Sequence, residues 1–160
     1  MNKVINVVIA GLGGQGVLKA SDILADAAFR AGFDVKKSEL HGMSQRGGSV
    51  SSDVRFGAEV WSPMVPTGEA DCLVVLEETQ VEVNRGVLRE GGVLIGPDFI
   101  APGALKNKKS LNLALLGALS TTLEIPEEHW LAAIHANLAE KLHRLNDQSF
   151  ALGRAAAGER

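Results

Sequence analysis

Apolar residues run Val4-Ile5-Asn6-Val7-Val8-Ile9-Ala10 and give way to Gly11-Leu12-Gly13-Gly14-Gln15-Gly16. They then recur at three- and four-residue spacing as Val17, Ala20, Leu24, Ala27, Ala28 and Ala31. This pattern predicts a strand, a glycine turn and a helix over 17–31, with Gly32 placed to end it. Looser alternation predicts a second strand over 34–41 and a third over 50–56, with 56–59 turning into a short edge strand that ends at Trp61. Cys72 to Leu76 reads as a buried strand, 77–88 as a helix, and Val93 to Gly96 as the next buried strand. The pattern dissolves between Pro97 and Ser110. Residues 111–123 are apolar nearly all round, as a buried helix requires. Pro126, Glu127 and Glu128 start another helix, with Trp130, Leu131, Ile134 and Leu138 on its inner face. A last helical stretch over 139–157 is expected to break near Asn146.

Strand–helix–strand units of this kind build an α/β fold. The expectation is three layers, helices on both faces of a mostly parallel, mixed sheet, with a Rossmann-like start and C-terminal helices. At 160 residues with 46% hydrophobic content, the chain can bury a continuous core without disulfides or metals. No repeat or linker divides it, so 1–160 reads as one domain. Sixteen basic against nineteen acidic residues give a net charge of −3, which advertises neither a nucleic-acid nor an anionic membrane surface. The single cysteine, Cys72, fits a reducing, cytoplasmic setting and packs as a small hydrophobe. One thiol cannot hold an iron–sulfur cluster, so any cluster must reside on another chain. The spacing of His129, His135 and His143 matches no zinc motif, and these residues read as surface or packing histidines.

The glycine turn opens three readings: a cofactor site, a subunit contact using the same turn, or a tight connection. Gly11 and Gly13 allow close approach, Gly16 lets the helix pack on its strand, and the helix start offers free N–H groups to an anion. As a stand-alone dinucleotide-binding module, the chain would set a pyrophosphate over Gly13 and Gly14 and hold ribose hydroxyls with Glu39. No second mononucleotide half is evident for that scheme.

A second informative stretch, His41-Gly42-Met43-Ser44-Gln45-Arg46-Gly47-Gly48-Ser49-Val50, lies where the second strand ends, on the same edge of the sheet. It offers an imidazole, amide and hydroxyl donors, a guanidinium fork and paired glycines. With Gly-Leu-Gly-Gly-Gln-Gly after the first strand and Ser38 to Val50 carrying His-Gly-Met-Ser-Gln-Arg-Gly-Gly, the chain resembles the gamma-type domain of 2-oxoacid:ferredoxin oxidoreductases. The likeness is greatest to the beta-subunit form in indolepyruvate ferredoxin oxidoreductases. Asp53-Val54-Arg55-Phe56-Gly57 continues it, and Leu116-Gly117-Ala118-Leu119 resembles a later helix of the family. The segment from Pro97 to Ser110 is shorter than the family pattern, and a shortened surface loop can remove an interface while leaving the core intact.

The resemblance implies a subunit, inactive alone, of an enzyme that decarboxylates an aryl 2-oxoacid such as indolepyruvate, transfers the acyl group to coenzyme A and passes two electrons to ferredoxin. Thiamine diphosphate and [4Fe-4S] clusters are implied on a larger partner subunit; no Gly-Asp-Gly thiamine-diphosphate signature occurs here. No catalytic or metal-ligating residue is expected on this chain. The expected cofactor-binding or partner-facing residues are Gly11, Gly13, Gly14, Gln15, Gly16, His41, Gln45, Arg46, Gly47 and Gly48. His41 reads as either a site histidine or a structural one. Arg46 could contact a partner carboxylate, a coenzyme A phosphate or a carboxylate of its own chain. Gln15 could donate across the crevice or merely cap its loop. Lys106, Lys108 and Lys109 could attract coenzyme A phosphates or form a solvated loop. Trp61 and Trp130 are expected as core or interface anchors, and the isolated chain could pair with itself.

Overall fold

The computed structural model describes residues 3–41, without the side chain of His41, and 48–160. Strand β1 (Ile5–Leu12) runs into helix α1 (Val17–Arg30), followed by β2 (Asp34–His41) and β3 (Ser49–Gly57). β4 (Ala70–Val75), a one-turn α2 (Val81–Asn84) and β5 (Leu88–Ile95) come next, then α3 (Leu111–Ser120), α4 (Glu127–Asn137) and α5 (His143–Gly158). The sheet order is β2-β3-β1-β4-β5. β4 and β5 lie parallel to β1, while β3 runs antiparallel to both of its neighbours, so four of the five strands share one direction.

Alternation sends Val7 and Ile9 of β1, with Val54 and Phe56 of β3, to the face covered by α1 and α3. This is the main core. α1 ends as expected: Gly32 takes φ +97°, and the Phe33 N–H reaches back 3.1 Å to the Ala28 carbonyl, the wrap of a left-handed C-terminal turn. Behind this layer, α3 is buried on every side from Asn112 to Ser120, and α5 packs along it. A Cβ at Gly153 would stand 1.7 Å from the Ala114 carbonyl oxygen, and one at Gly117 2.0 Å from that of Phe150, so the two helix backbones touch.

The opposite face is covered thinly. Val8, Ala70, Leu73 and Val75 form a small cluster there, roofed by Val65, Val81 and Val87. Here the structure departs from several expectations. No strand ends at Trp61; residues 58–69 are irregular, and their backbone groups are met by side chains instead of a ladder. The expected helix over 77–88 is a succession of short turns, 78–80, α2 and 85–87. β5 begins at Leu88, five residues before the apolar run, because the edge strand accommodates Gly91 at φ +77° and slips its register between Ala70 and Cys72. The last helix starts at His143 after a tight turn over 140–142 and continues through Asn146, whose Nδ2 donates to the Leu142 carbonyl at 2.9 Å.

Burial pushes the Asp53 carboxyl above its ordinary value, against the pull of the Val65 N–H and of Arg55. The folded protein therefore binds the Asp53 proton more tightly than the unfolded chain, and ionisation costs stability as pH rises through the carboxylate range. Asp53→Asn removes that loss while keeping an acceptor for Val65. Its urea midpoint relative to wild type is expected to rise from acid pH towards neutrality and then level off; a relative midpoint that falls with pH would mean the carboxylate is favoured by folding.

Candidate functional site

α1 carries the chain from β1 to β2 on one side of the sheet, and the turns around α2 carry it from β4 to β5 on the other. The strand order therefore reverses between β1 and β4, and the crevice at their carboxyl ends is where open α/β sheets place ligands. The glycine turn sits there. Gly16 adopts φ +85° as the residue before α1. A Cβ on it would lie 2.4 Å from Asn112 Nδ2, which donates to the Gly16 carbonyl at 3.3 Å. Gly16 thus makes room for α3, while close packing at the strand end falls to Gly11, whose Cβ would meet Gln15, Val17 and Leu76. Gly14, at φ +89°, faces open space.

For Gln15 the two alternatives coexist in the geometry. Its Oε1 accepts from the Leu12 N–H at 2.7 Å, holding the turn, and its Nε2 donates to Glu77 Oε1 at 2.9 Å across the crevice. The Gly13 N–H donates to the Gly48 carbonyl at 2.9 Å. That bond joins the first glycine turn to the end of the second stretch, and Ser49 Oγ donates to Gln80 Oε1 at 2.8 Å, tying the same rim to the segment after β4. One hollow of about 220 Å³ lies beside the turn, lined by Gly14, Gln15, Leu76, Lys108, Lys109 and Leu111. A second of about 310 Å³ lies between the turn, the start of α1 and Val50.

Gly11, Gly13, Gly14, Gln15, Gly16 and Gly48 are thus brought together at one rim. The backbone of His41 ends β2 opposite Val50; Gln45, Arg46 and Gly47 lie outside the described residues. Lys108 and Lys109 border the rim, whereas Lys106 lines a separate hollow against α5. Glu77 and Gln80 are not among the expected site residues, and Ser49 is expected only as part of the second stretch. The position of Glu77 directly after an apolar strand was the available signal, since residues following neighbouring parallel strands meet at one edge.

The dinucleotide scheme meets a geometric obstacle. β3 stands between β1 and β2, so Glu39 is set two strand spacings, roughly 10 Å, to the side of Ile9 and short of the glycine turn, and its Oε1 is occupied by Lys37 at 2.7 Å. Of the other singled-out residues, His135 and His143 stack with ring centres 4.3 Å apart, and His135 Nε2 lies 2.7 Å from Asp147 Oδ2. Trp130 is in the core against Phe150, while Trp61 is exposed. Cys72 is buried, and burial pushes its thiol up.

Residues 6–102 match the model of the family described as pyruvate ferredoxin/flavodoxin oxidoreductase. The chain belongs to this family. It is 34% identical to the indolepyruvate oxidoreductase subunit IorB of Thermococcus kodakarensis, over 96% of each chain. With the subunit of that name from Pyrococcus horikoshii it shares 39% identity over 86% of this chain and 66% of that one. The Thermococcus alignment spans 194 positions against 160 residues here, so that relative carries residues without a counterpart, as a shortened connection would produce. Among solved structures, the gamma subunit of a keto/oxoacid ferredoxin oxidoreductase from Geobacter sulfurreducens superposes with a TM-score of 0.82 at 24% identity, covering 98% of this chain and 99% of that one. A 2-oxoglutarate:ferredoxin oxidoreductase from Magnetococcus marinus, bound to 2-oxoglutarate, coenzyme A and succinyl-CoA, gives 0.85 at 22% identity over 100% of this chain and 32% of that one. These two structures therefore share the fold of this chain, its mixed sheet and helices. Among the described residues no helix is long and apolar enough to cross a membrane.

Proposed function

We propose that this chain is the one-domain, cofactor-free subunit of an aryl 2-oxoacid:ferredoxin oxidoreductase, with indolepyruvate as the representative substrate. The observation that carries this reading is the end-to-end similarity to IorB subunits of indolepyruvate oxidoreductases. The enzyme's overall reaction turns a 2-oxoacid, R–CO–COO⁻, and coenzyme A into the acyl thioester R–CO–S–CoA, carbon dioxide and a proton. The two electrons released go to ferredoxin.

Thiamine diphosphate supplies the carbon chemistry of such an enzyme, and iron–sulfur clusters carry its electrons. A [4Fe-4S] cluster takes four thiolates, and the only thiol of this chain is the buried Cys72. These residues do not fit a cluster, and the redox centres are assigned to a larger, cytoplasmic partner subunit. The contribution of this chain is then positioning and enclosure. Gly11, Gly13, Gly14, Gln15, Gly16 and Gly48 form the rim of this positioning surface, and His41, Gln45, Arg46 and Gly47 are assigned partner-facing roles beside it. The Gln15–Glu77 bond spans the crevice and takes up the Gln15 amide, which supports a contact surface over a nucleotide slot.

Arg46 is assigned to a partner carboxylate. Co-expression with a thiamine-diphosphate-binding oxidoreductase subunit from the same organism tests the reading. Wild type is expected to co-purify with that subunit. Arg46→Ala is expected to bind about tenfold more weakly, as loss of a charge-assisted hydrogen bond implies, with turnover retained once the complex is saturated. Loss of turnover with association intact would move Arg46 to a substrate anion, and failure of wild type to associate would defeat the subunit assignment.

A further inference from the structure

One face of the sheet lies under two layers of helix and the other under a thin cover. Four of the large hydrophobic side chains left in solvent belong to elements of the thin side, Leu40 at its glycine-turn end and Trp61 and Met64 in the segment that follows β3 at the other. Trp61 is 85% exposed, Val83 68%, and Met64 and Leu40 53% each. Leu40 is on this face because Val35, an odd number of positions earlier on β2, packs into the main core, and strand side chains alternate. Trp61 and Met64 belong to the irregular segment 58–69, which three side chains hold down. Asp34 Oδ2 accepts from the Val60 N–H at 2.8 Å, Arg55 Nη1 donates to the Ser62 carbonyl at 2.8 Å, and Asp53 Oδ2 accepts from the Val65 N–H at 2.9 Å. The backbone is therefore fixed on both sides of Trp61 while the indole stands in water. A rigidly presented, solvent-facing tryptophan is a preorganised anchor: it has little conformational freedom left to lose and a large apolar surface to bury.

Charge says what covers it. Between Phe56 and Asn84 the sequence holds no lysine or arginine but six acids, Glu59, Glu69, Asp71, Glu77, Glu78 and Glu82. Asp71 is paired with Arg89 and Glu82 with Arg85, and Glu77 is held by Gln15. Glu59, Glu69 and Glu78 are exposed and take part in none of the ion pairs formed among the described residues. At the Trp61 end the nearby bases Lys3, Lys36 and Arg89 already face Asp71 and Asp34, so a second copy docking through the same face would set Glu59 and Glu69 against their own copies, because a twofold contact pairs a patch with itself. A partner with basic residues around an apolar pocket suits both features.

We propose that the thinly covered face of the sheet, centred on Trp61 and Met64, docks the larger subunit through a pocket for the indole ringed by lysine or arginine. This rests on the subunit reading above and adds a second contact region. Trp61 lies past the end of β3 that pairs with the start of β1, at the opposite end of the sheet from the glycine turn.

The test uses the full chain with the co-expressed larger subunit. Amide hydrogen exchange over 58–66 is expected to slow in the complex. Trp61→Ala is expected to weaken association about 30-fold or more, as truncation of an anchor does, with an unchanged melting temperature because the side chain touches little of its own fold. Glu59→Lys combined with Glu69→Lys is expected to weaken association further and to reduce its salt dependence. A complex in which Trp61→Ala binds like wild type and exchange over 58–66 is unaltered overturns the inference and leaves the subunit reading standing. A self-associated chain protected over 58–66 overturns the choice of occupant. Absence of any complex with the wild-type chain removes the subunit reading and this inference with it.

Discussion

Replacing Gly153 by alanine is expected to destabilise the protein by about 3 kcal/mol or more, a large part of the margin by which a domain of this size stays folded. The added methyl would sit 1.7 Å from the Ala114 carbonyl oxygen and 2.6 Å from its carbonyl carbon. Both are backbone atoms in the middle of a helix buried on all sides, so no rotamer change relieves the overlap and α5 must move off α3. Gly117→Ala, with Phe150 backbone at 2.0 Å, should behave alike. Gly158, in the same helix as Gly153, has nothing within 4 Å of an added Cβ. Gly158→Ala, at the last residue of the helix, is therefore expected to be neutral or to stabilise by about 0.5 kcal/mol at most. Urea denaturation of the three variants separates the two cases; a Gly153→Ala protein as stable as Gly158→Ala would mean that the α3–α5 crossing is looser than described.

Gly16→Ala is expected to cost about 2–3 kcal/mol and to disturb the rim. About 1 kcal/mol comes from forcing a side chain into the left-handed region at φ +85°. The rest comes from the collision with Asn112 Nδ2 at 2.4 Å, which breaks that amide's bond to the Gly16 carbonyl in a buried place. Gly14→Ala supplies the comparison. It has φ +89° and open space, so only the backbone term applies and the loss should stay near 1 kcal/mol. Combining Gly16→Ala with Asn112→Ala should add less than the separate losses, because the collision is gone. Strict additivity would place the damage elsewhere in the turn.

The first strand, glycine turn and first helix were legible because three local signals agreed: an apolar run, glycines at the turn, and a helical stripe ending at Gly32. α3 was legible as buried from its unbroken apolar sequence. β5 was read short because Arg89-Glu90-Gly91-Gly92 has the composition of a turn, yet an edge strand tolerates charge and a bulge at Gly91. The strand expected to end at Trp61 failed for a different reason: the Asp34, Arg55 and Asp53 side chains satisfy its backbone, a tertiary arrangement that no local pattern encodes. At the site, Gln15 was visible from the turn itself. Glu77 and Gln80 were not, because their approach depends on β4 lying beside β1, and strand order is set by long-range pairing.

Indolepyruvate-dependent, coenzyme A-dependent reduction of a viologen dye by the larger subunit, measured with and without this chain, tests the central claim most directly. Activity is expected to be absent from the larger subunit alone and from this chain alone, and to appear when they are combined, saturating at a fixed ratio. A larger subunit that reduces the dye at the full rate without this chain would contradict the account.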